Sequence, residues 1–297
     1  MSAMSHNVNL PMYAVRPPEN QALEAAVREL LLARGIAVSS PTPPPADLLS
    51  HWRQPDLLLS QTCGYPLVTL LPEVQTVGCF HYSAPGCEGI DYRSLLVARA
   101  ADNARSLADF RGRRAICNSP DSQSGYNVLL KMVAPLAREG RFFAGVNFSG
   151  SHRQSLLGLQ QGTGDMAAID CVSWALLARH EPAVLEGLCV IGQTPSAPGL
   201  PLITRATNVS ANPRRFAIGA AAAGQRCAIS GALRGAVYLR FQPGDPGTLF
   251  PIAGVARRGA TTGRDATLKD RRRADLLRVR RRMRCRLLSG KAVIYLR

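Results

Sequence analysis

The sequence predicts an α/β protein of two lobes that are joined by two crossings of the chain. Strand-like and helix-like segments alternate over residues 8–204, which favours α/β units with mainly parallel sheets. These segments form two units that meet near residue 100, and the extended segment 195–204 returns toward the first unit. The expected organisation is lobe 1 at 8–98, lobe 2 at 99–194 and a return crossing at 195–210.

The first unit opens with a short apolar strand and an amphipathic helix. Apolar residues of the helix keep helical spacing, and Gly35 ends it. In chain order, the predicted elements are a strand at 8–13, a helix at about 20–34, a proline-rich loop at 39–47, a buried strand at 56–60, the loop 61–66 and one or two strands within 74–99, of which 94–99 is the clearest.

The second unit continues the alternation of strands and helices. Leu156, Leu157 and Leu159 mark one of its helices. The other elements are a short helix and a strand within 106–118, a helix at about 124–138, and then strand 142–148, strand 166–170, helix 172–180 and strand 188–192.

The positive charge of the chain is confined to its C-terminal part. The net charge is +16, yet residues 1–210 contain equal numbers of basic and acidic residues. The predicted tail, 211–297, is rich in Arg, Gly and Ala, and its apolar periodicity is poor. Three interpretations stay open: an arm that binds polyanions, a disordered solvated tail, or a sequence translated out of frame.

Two short turns contain a high density of hydroxyl groups. Residues 118–126 read NSPDSQSGY and residues 149–152 read SGSH, and each turn precedes a helix-like segment. A single serine there is usually a plain N-cap. Several serines beside a glycine at a helix N-terminus also suit a small oxyanion, because the first backbone N–H groups lack intrahelical partners.

Other candidate contacts follow predicted strands. Asp170 ends the strand 166–170, where it can either cap the next helix or contact a ligand. The loop 61–66 presents Tyr65, and Tyr13 and Tyr92 can face the same space, although single tyrosines are usually packing residues.

The eight cysteines do not form a recognisable metal motif. No CxxC pair is present, so neither a metal nor a cofactor is expected. Cys79 and Cys87 flank a Pro-Gly turn and can pair if the protein is exported.

Common catalytic motifs are also missing from the sequence. It contains no GxSxG, HExxH, Walker or GxGxxG pattern, so no catalytic residue is predicted. Cys63 and Cys171 lie near possible ligand loops, and a nucleophilic cysteine stays open as an alternative. No segment has the length and apolarity of a membrane span.

Five strings, in order, resemble the phosphate/phosphite/phosphonate substrate-binding proteins of ABC transporters. They are DLLLSQTCGYPL, YRSLLVAR, SLADFRGRRAICNSPDSQSGY, SGSHRQSLLGLQQGTGDMAAID and TPSAPGLPLIT, and the resemblance covers about residues 8–205. It implies a periplasmic-binding-protein type II fold, whose two lobes close on a ligand cleft about a hinge. By position it also implies ligand contacts at Tyr65 and Tyr92 on lobe 1, at Ser122, Gln123, Ser124 and His152 around the oxyanion, and near Asp170.

The chain departs from that family in two respects. No secretory signal is visible in the first thirty residues, so we expect a periplasmic protein by resemblance but a cytoplasmic one if Met1 is the true start. The closing C-terminal helices are also missing as read. A one-base shift over residues 228–250 can encode RSAALCAALFTSDFNRVTPERY, which is more similar to them, and this supports a frameshift after about residue 212.

The resulting functional prediction is a non-catalytic, monomeric solute-binding protein for a small tetrahedral oxyanion. Its partner would be an ABC permease if the chain is exported. The alternatives are a cytosolic ligand-binding relative, an enzyme on the same scaffold, or a nucleic-acid-binding protein that acts through the basic tail.

Overall fold

The structure, a computed structural model, describes residues 6–103, 105–211 and 241–242. All of these residues belong to one compact unit of the chain. They form two five-stranded sheets and a two-stranded ribbon.

The first lobe is built around the N-terminal sheet. Helix α1 starts at a Pro-Pro pair, which suits the first helical turn, where a backbone N–H is not needed. The elements are β1 (Asn7–Asn9), α1 (Pro17–Leu32), α2 (Leu48–Trp52), β2 (Leu57–Gln61), α3 (Gly64–Leu70) and β3 (Val74–Phe80).

The chain then crosses to the second lobe and later returns. The crossing holds β4 (Asp91–Tyr92), and the second lobe contains β5 (Ser94–Arg99), β6 (Arg114–Cys117), a single π-helical turn (Gln123–Asn127), α4 (Val128–Val133), β7 (Gly145–Phe148), α5 (His152–Gln160), β8 (Met166–Asp170), α6 (Cys171–His180) and β9 (Leu188–Gln193). Short 3-10 turns lie at Ala100–Asp102, Leu107–Phe110, Ala134–Leu136 and Pro182–Leu185. The return consists of β10 (Ala197–Pro198), β11 (Pro201–Arg205) and α7 (Ala206–Ala211), and β12 (Phe241–Gln242) lies on the first sheet.

The two sheets are mixed, so the expectation of mainly parallel sheets was wrong. Their strand orders are β1-β2-β11-β3-β12 and β7-β6-β8-β5-β9. Parallel pairs occur between β1 and β2, β6 and β7, and β6 and β8. Strands β5 and β11 each follow a crossing of the chain from one lobe to the other. Each of them runs antiparallel to both of its neighbours. The crossings therefore insert strands of opposite direction, which the local strand–helix alternation does not reveal.

Each sheet has apolar layers on both of its faces. On β5, Leu95 and Val97 pack toward α5 and α6, while Leu96 and Ala98 pack toward α4. This alternation follows from the two-residue period of a strand. Because both faces are covered, β5 is a nearly continuous apolar run in the sequence.

The two crossings pair with each other between the lobes. Residues 91–92 of β4 and 197–198 of β10 form an antiparallel ribbon, with Tyr92 opposite Ala197. The ribbon joins two sheets that share no strand, and the crossings that contain it are called the hinge crossings below.

Most predicted elements are confirmed, but several differ. The predicted strands 8–13 and 142–148 are shorter, at Asn7–Asn9 and Gly145–Phe148. Strand 94–99, which the sequence analysis places in lobe 1, pairs in the second sheet, because β5 lies between β8 and β9. The predicted loop 61–66 contains the start of α3. The predicted helix 124–138 is broken into a π-helical turn, α4 and a 3-10 turn that contains Pro135.

The predicted tail is almost entirely outside the described residues. Within 211–297, the structure describes Ala211 and the β12 residues, which pair with β3. The expectations of disorder and of a shifted frame fall on residues beyond those described. Among the described helices, none is long and apolar enough to cross a membrane.

Candidate functional site

The two serine turns lie side by side at the ends of neighbouring strands. Strands β6 and β7 are parallel partners, so their C-terminal ends meet at one edge of the sheet. Backbone hydrogen bonds join the turns that follow: Ser149 N–H donates to Cys117 O, and Gly150 N–H donates to Asn118 O, both at 2.8 Å. The turns line a cleft of ≈ 620 Å³ between the lobes.

The first serine turn is a tight π-helical turn. Ser122 caps it, and the Ser122 hydroxyl accepts from Gly125 N–H at 3.0 Å. A Cβ atom on Gly125 would lie 1.8 Å from Asn118 Oδ1, so only glycine fits there. Single π-helical turns occur frequently at functional sites. The turn closes against Asn118 only because residue 125 lacks a side chain.

Ser124, His152 and Asp170 form a buried polar chain between the two turns and β8. His152 Nε2 lies 3.0 Å from Ser124 Oγ and 3.4 Å from Asp170 Oδ2. Asp170 caps α6, because its Oδ1 accepts from the N–H groups of Val172 and Ser173 at 2.9 and 2.8 Å. The two roles considered for Asp170, cap and site residue, are therefore compatible.

Burial decides the protonation state of His152 in this polar cluster. Desolvation lowers the pKa of His152, and the opposing effect of Asp170 is smaller, so the ring is neutral at pH 7. The nearby carboxylate favours the tautomer with its proton on Nε2. In that tautomer the one Nε2 proton faces two acceptors, Ser124 Oγ at 3.0 Å and Asp170 Oδ2 at 3.4 Å.

The first lobe supplies the opposite wall of the cleft. Tyr13, Asp47, Trp52, Cys63 and Pro66 line it. Tyr13 has a positive φ of 60° and packs edge-on against Tyr82, with ring centroids 5.0 Å apart. Burial raises the pKa of Tyr13 well above its ordinary value, so its hydroxyl stays protonated.

The two lobes touch directly beside the cleft. The start of α3 contacts the first serine turn, where the Gln123 backbone lies close enough to the Cys63 sulfur to oppose the rise that burial causes in the Cys63 pKa. Glu19 of α1 lies 3.2 Å from His180 Nε2 of α6. The structure is therefore a conformation in which the lobes are in contact.

The structure brings together four of the seven residues expected at the site. Ser122, Ser124, His152 and Asp170 line the cleft. Two further residues, Gln123 and Tyr92, are buried behind this wall, outside the lining of the cleft. Tyr92 makes no well-formed hydrogen bond through its hydroxyl, although Ser124 is close enough to oppose the rise that burial causes in the Tyr92 pKa.

Tyr65 lies outside the lining of the cleft. It is half-buried on the first turn of α3, whereas Pro66, the next residue, lines the cleft. Successive helical residues point about 100° apart. Because α3 begins at Gly64, Tyr65 and Pro66 point in different directions.

Several lining residues were not singled out from the sequence. Asp47 caps α2, and its side chain accepts from Leu49 N–H at 3.1 Å. An Asp before an apolar run is an N-cap signal that the sequence offered. Asn118, the first residue of the first serine turn, and Arg153, which directly follows the second turn, also line the cleft.

Neither candidate nucleophile is activated in the cleft. Burial raises the pKa of Cys63 to about 12, so it stays a thiol. Cys171 lies outside the cleft lining and faces a separate groove. The two cysteines that can pair by sequence proximity have other neighbours. The Cys79 sulfur contacts Leu200 O, and the Cys87 sulfur contacts the Cys171 sulfur.

The described residues hold no group of three or more His, Cys, Asp or Glu side chains arranged for a metal ion.

Among the residues that the structure describes, some buried polar atoms at the two turns have no hydrogen-bond partner. They include Asn118 Oδ1, Gln123 Oε1 and His152 Nδ1. Such atoms are uncommon in folded proteins, because each one loses its hydration without compensation. Asn118 and His152 line the cleft, so their unpaired atoms mark a place that a polar ligand or water can complete.

Comparisons with known proteins point to one family. Residues 75–217 match the family model described as ABC transporter, phosphonate, periplasmic substrate-binding protein. No curated protein matched the chain significantly.

Solved structures share the fold at low sequence identity. PhnD1 from Prochlorococcus marinus in complex with methylphosphonate aligns with a TM-score of 0.57 and 16% identity, over 72% of this chain and 79% of that chain. A binding protein component of an ABC phosphonate transporter from Pseudomonas aeruginosa aligns with a TM-score of 0.53 and 19% identity, over 68% of each chain. The periplasmic aliphatic sulphonate binding protein SsuA from Escherichia coli aligns with a TM-score of 0.50 and 14% identity, over 71% of this chain and 64% of that chain.

The two kinds of comparison agree with the observed architecture. The structural likeness gives the two-lobed binding-protein fold, and the family match places the serine turns, His152 and Asp170 inside the matched region. The resemblance found in the sequence is confirmed by the family model: residues 75–217 match the phosphonate, periplasmic substrate-binding proteins of ABC transporters.

Proposed function

We propose that this chain binds one small phosphonate, or a closely similar tetrahedral oxyanion, in the cleft between its lobes. The observation that carries the proposal is the meeting of the two serine turns through Ser124 and His152, with Nε2 and Oγ 3.0 Å apart. Both residues line the cleft. The family match of residues 75–217 supports the same class of ligand.

The proposed anion site uses neutral donors. Ser122, Ser124 and Ser151 bring hydroxyl groups, and the first turn of α5, which begins at His152, brings backbone N–H groups that lack intrahelical partners. The α5 helix dipole adds a partial positive charge at the same point. These groups favour a compact anion with several oxygens.

The carboxylates of the cleft shape its ligand preference. Glu181 is paired with Arg153 at 2.7 Å, and Asp170 is held by the N-terminus of α6 and by His152. Asp47 and Asp121 also line the cleft and leave its rim acidic. An anion that also carries an amine would gain from these carboxylates, whereas a second phosphate group would be repelled.

Tyr92 and Gln123 would support the site from behind its wall. Tyr92 lies on the β4–β10 ribbon and beside Ser124, so it connects the hinge with the anion site. We expect closure to be a rigid-body rotation of the lobes about this ribbon. The contacts Cys63–Gln123 and Glu19–His180 would then break on opening.

The proposed role is binding without chemical change, by a monomer that delivers its ligand to an ABC permease in the periplasm. The raised pKa of Cys63 and the outward position of Cys171 support a non-catalytic site. The proposed lobe boundaries are those predicted from the sequence, 8–98 and 99–194, except that β5 (Ser94–Arg99) belongs to the second lobe. The nucleic-acid alternative depends on 211–297, most of which lies outside the described residues.

Calorimetry on the full chain tests the proposal. Methylphosphonate, 2-aminoethylphosphonate, inorganic phosphate and methanesulfonate are titrated separately at low salt. We expect one site per chain for a phosphonate, with the amine-bearing ligand bound more tightly. Absence of heat and of any thermal stabilisation with all four anions would refute the anion site. A changed phosphorus spectrum after incubation would refute the non-catalytic role.

A further inference from the structure

Two cysteines that are distant in sequence meet at the hinge side of the second lobe. Cys87 Sγ and Cys171 Sγ lie 3.5 Å apart, although 84 positions separate them. Cys87 lies in the turn between β3 and β4, on the first chain crossing, and Cys171 is the first residue of α6. The contact therefore joins the hinge segment to a helix of the second lobe.

The turn that holds Cys87 is built against Cys171. Gly86 has a φ of +100°, and a Cβ atom there would lie 3.2 Å from Cys171 Cβ and 3.3 Å from Cys171 Sγ. Both the conformation and the close approach require glycine. Cys171 N–H also donates to Arg93 O at 3.0 Å, which holds the start of α6 against the same crossing.

A groove gives small molecules access to this pair. It has a volume of ≈ 940 Å³ and is lined by both cysteines together with Glu88, Arg93 and Trp174. Cys87 is half-buried and Cys171 is buried. The groove is separate from the cleft that holds the serine turns, because the two share no lining residue.

The two thiols differ in acidity. The contact between the two sulfurs lowers the pKa of Cys171 and raises that of Cys87. The N-terminus of α6 also favours a thiolate at Cys171, while burial and Asp170 oppose it. Cys171 is thus the member of the pair suited to attack an oxidant, and Cys87 is suited to resolve the product.

We propose that Cys87 and Cys171 are a redox-active pair, which a hydroperoxide converts into an intrachain disulfide that fastens the hinge crossing to α6. With hydrogen peroxide, the Cys171 thiolate attacks one oxygen, the O–O bond breaks, and the released hydroxide takes a proton to become water. The Cys87 sulfur then displaces the hydroxyl of the Cys171 sulfenic acid, and a second water leaves with the Cys87 proton. Two thiols are oxidised and one peroxide is reduced.

The disulfide would act on the hinge rather than on the ligand contacts. It would tie residue 87 of the crossing to the residue next to Asp170, which contacts His152. Fixing the turn restricts the crossing that must bend when the lobes open. It also closes a long loop in the unfolded chain, which stabilises the folded state.

Peptide mapping of the oxidised full-length protein tests the pair. The reduced protein is treated with hydrogen peroxide, its free thiols are blocked with N-ethylmaleimide, and it is digested with trypsin without reduction. We expect residues 54–93 and 154–179 to appear as one linked peptide that dithiothreitol separates. Peptide 54–93 also contains Cys63 and Cys79, so variants must identify the partner of Cys171.

The variants make the assignment unambiguous. We expect Cys79→Ser and Cys63→Ser to keep the linked peptide and Cys87→Ser to abolish it. Should Cys171→Ser fail to fold, Cys87→Ser decides alone, because residue 87 is half-buried and tolerates the change. We also expect oxidation to raise the thermal unfolding midpoint of the wild type, but not of Cys87→Ser. A link that survives in Cys87→Ser, or full blocking of Cys87 and Cys171 after peroxide treatment, would overturn the proposal.

Discussion

His152 Nε2 lies 3.0 Å from Ser124 Oγ, so one residue from each serine turn meets the other at the wall of the cleft. The contact depends on the parallel pairing of β6 and β7, which ends the two strands at the same edge. Asp170 completes the chain from β8, with its Oδ2 3.4 Å from the same nitrogen. Three strands of one sheet therefore converge on one polar cluster.

Removal of either contact partner should weaken anion binding. We expect Ser124→Ala and His152→Ala each to lose roughly 1.5–3 kcal/mol of binding free energy with methylphosphonate, because each removes a hydrogen bond to a charged ligand or its support. Isothermal calorimetry measures the loss. Ser106→Ala is the matched control, since Ser106 caps a 3-10 turn outside the cleft lining. Unchanged affinity in both site variants would contradict the site.

Substitution of Asp170 should separate its two roles. In Asp170→Asn, the amide oxygen can still cap α6, but the negative charge that raises the His152 pKa is lost. We expect little loss of stability and a still lower His152 pKa, measured by NMR titration. Asp170→Ala should in addition cost about 0.5–2 kcal/mol of unfolding free energy through the lost cap. A higher His152 pKa in Asp170→Asn than in the wild type would contradict the assigned effect of the Asp170 charge.

Stability should fall as the solution becomes mildly acidic. Burial lowers the pKa of both His152 and His51 in the folded state. The unfolded chain therefore binds more protons from about pH 6.5 downward, so the free energy of unfolding decreases there until the lower folded pKa values are passed. Urea unfolding between pH 5 and 8 should show this decrease. We expect it to be smaller in His152→Gln, and an equal decrease would show that His152 does not contribute.

Gly125 should be intolerant of any side chain. The Cβ atom of Gly125→Ala would overlap Asn118 Oδ1, so the turn must open and both stability and anion affinity should decrease. Overpacking of this kind costs typically about 1–3 kcal/mol. Gly145→Ala is the control, because nothing lies within 4 Å of its added Cβ. Equal denaturation midpoints and affinities for the two variants would argue against the close packing of the turn.

The sequence was most reliable where local pattern and burial agree. Strand β8 and helix α5 follow from an apolar run and from helical leucine spacing, and the serine turns follow from residue types that cap helices. The resemblance identified the family, which the match over residues 75–217 confirms. It also named the four polar residues that the structure places at the cleft wall.

Other features depended on pairing between distant residues. Strand β5 reads like any buried strand, and only its hydrogen bonds to β8 and β9 assign it to the second lobe. The start of α3 at Gly64 turns Tyr65 away from the cleft by one helical step. On sequence proximity, Cys79 is the partner that Cys87 can take if the protein is exported, whereas the fold places Cys171 beside Cys87.

The sequence by itself determined the α/β class, the order of most elements, the resemblance to one family and the hydroxyl-rich chemistry of the two turns. These properties are local, because each is encoded within one strand, helix or turn and its immediate neighbours. The tertiary structure decided which turns meet, that His152 is neutral, and which thiols are in contact. Such properties arise from burial and from distances across many residues of chain, which no local pattern specifies.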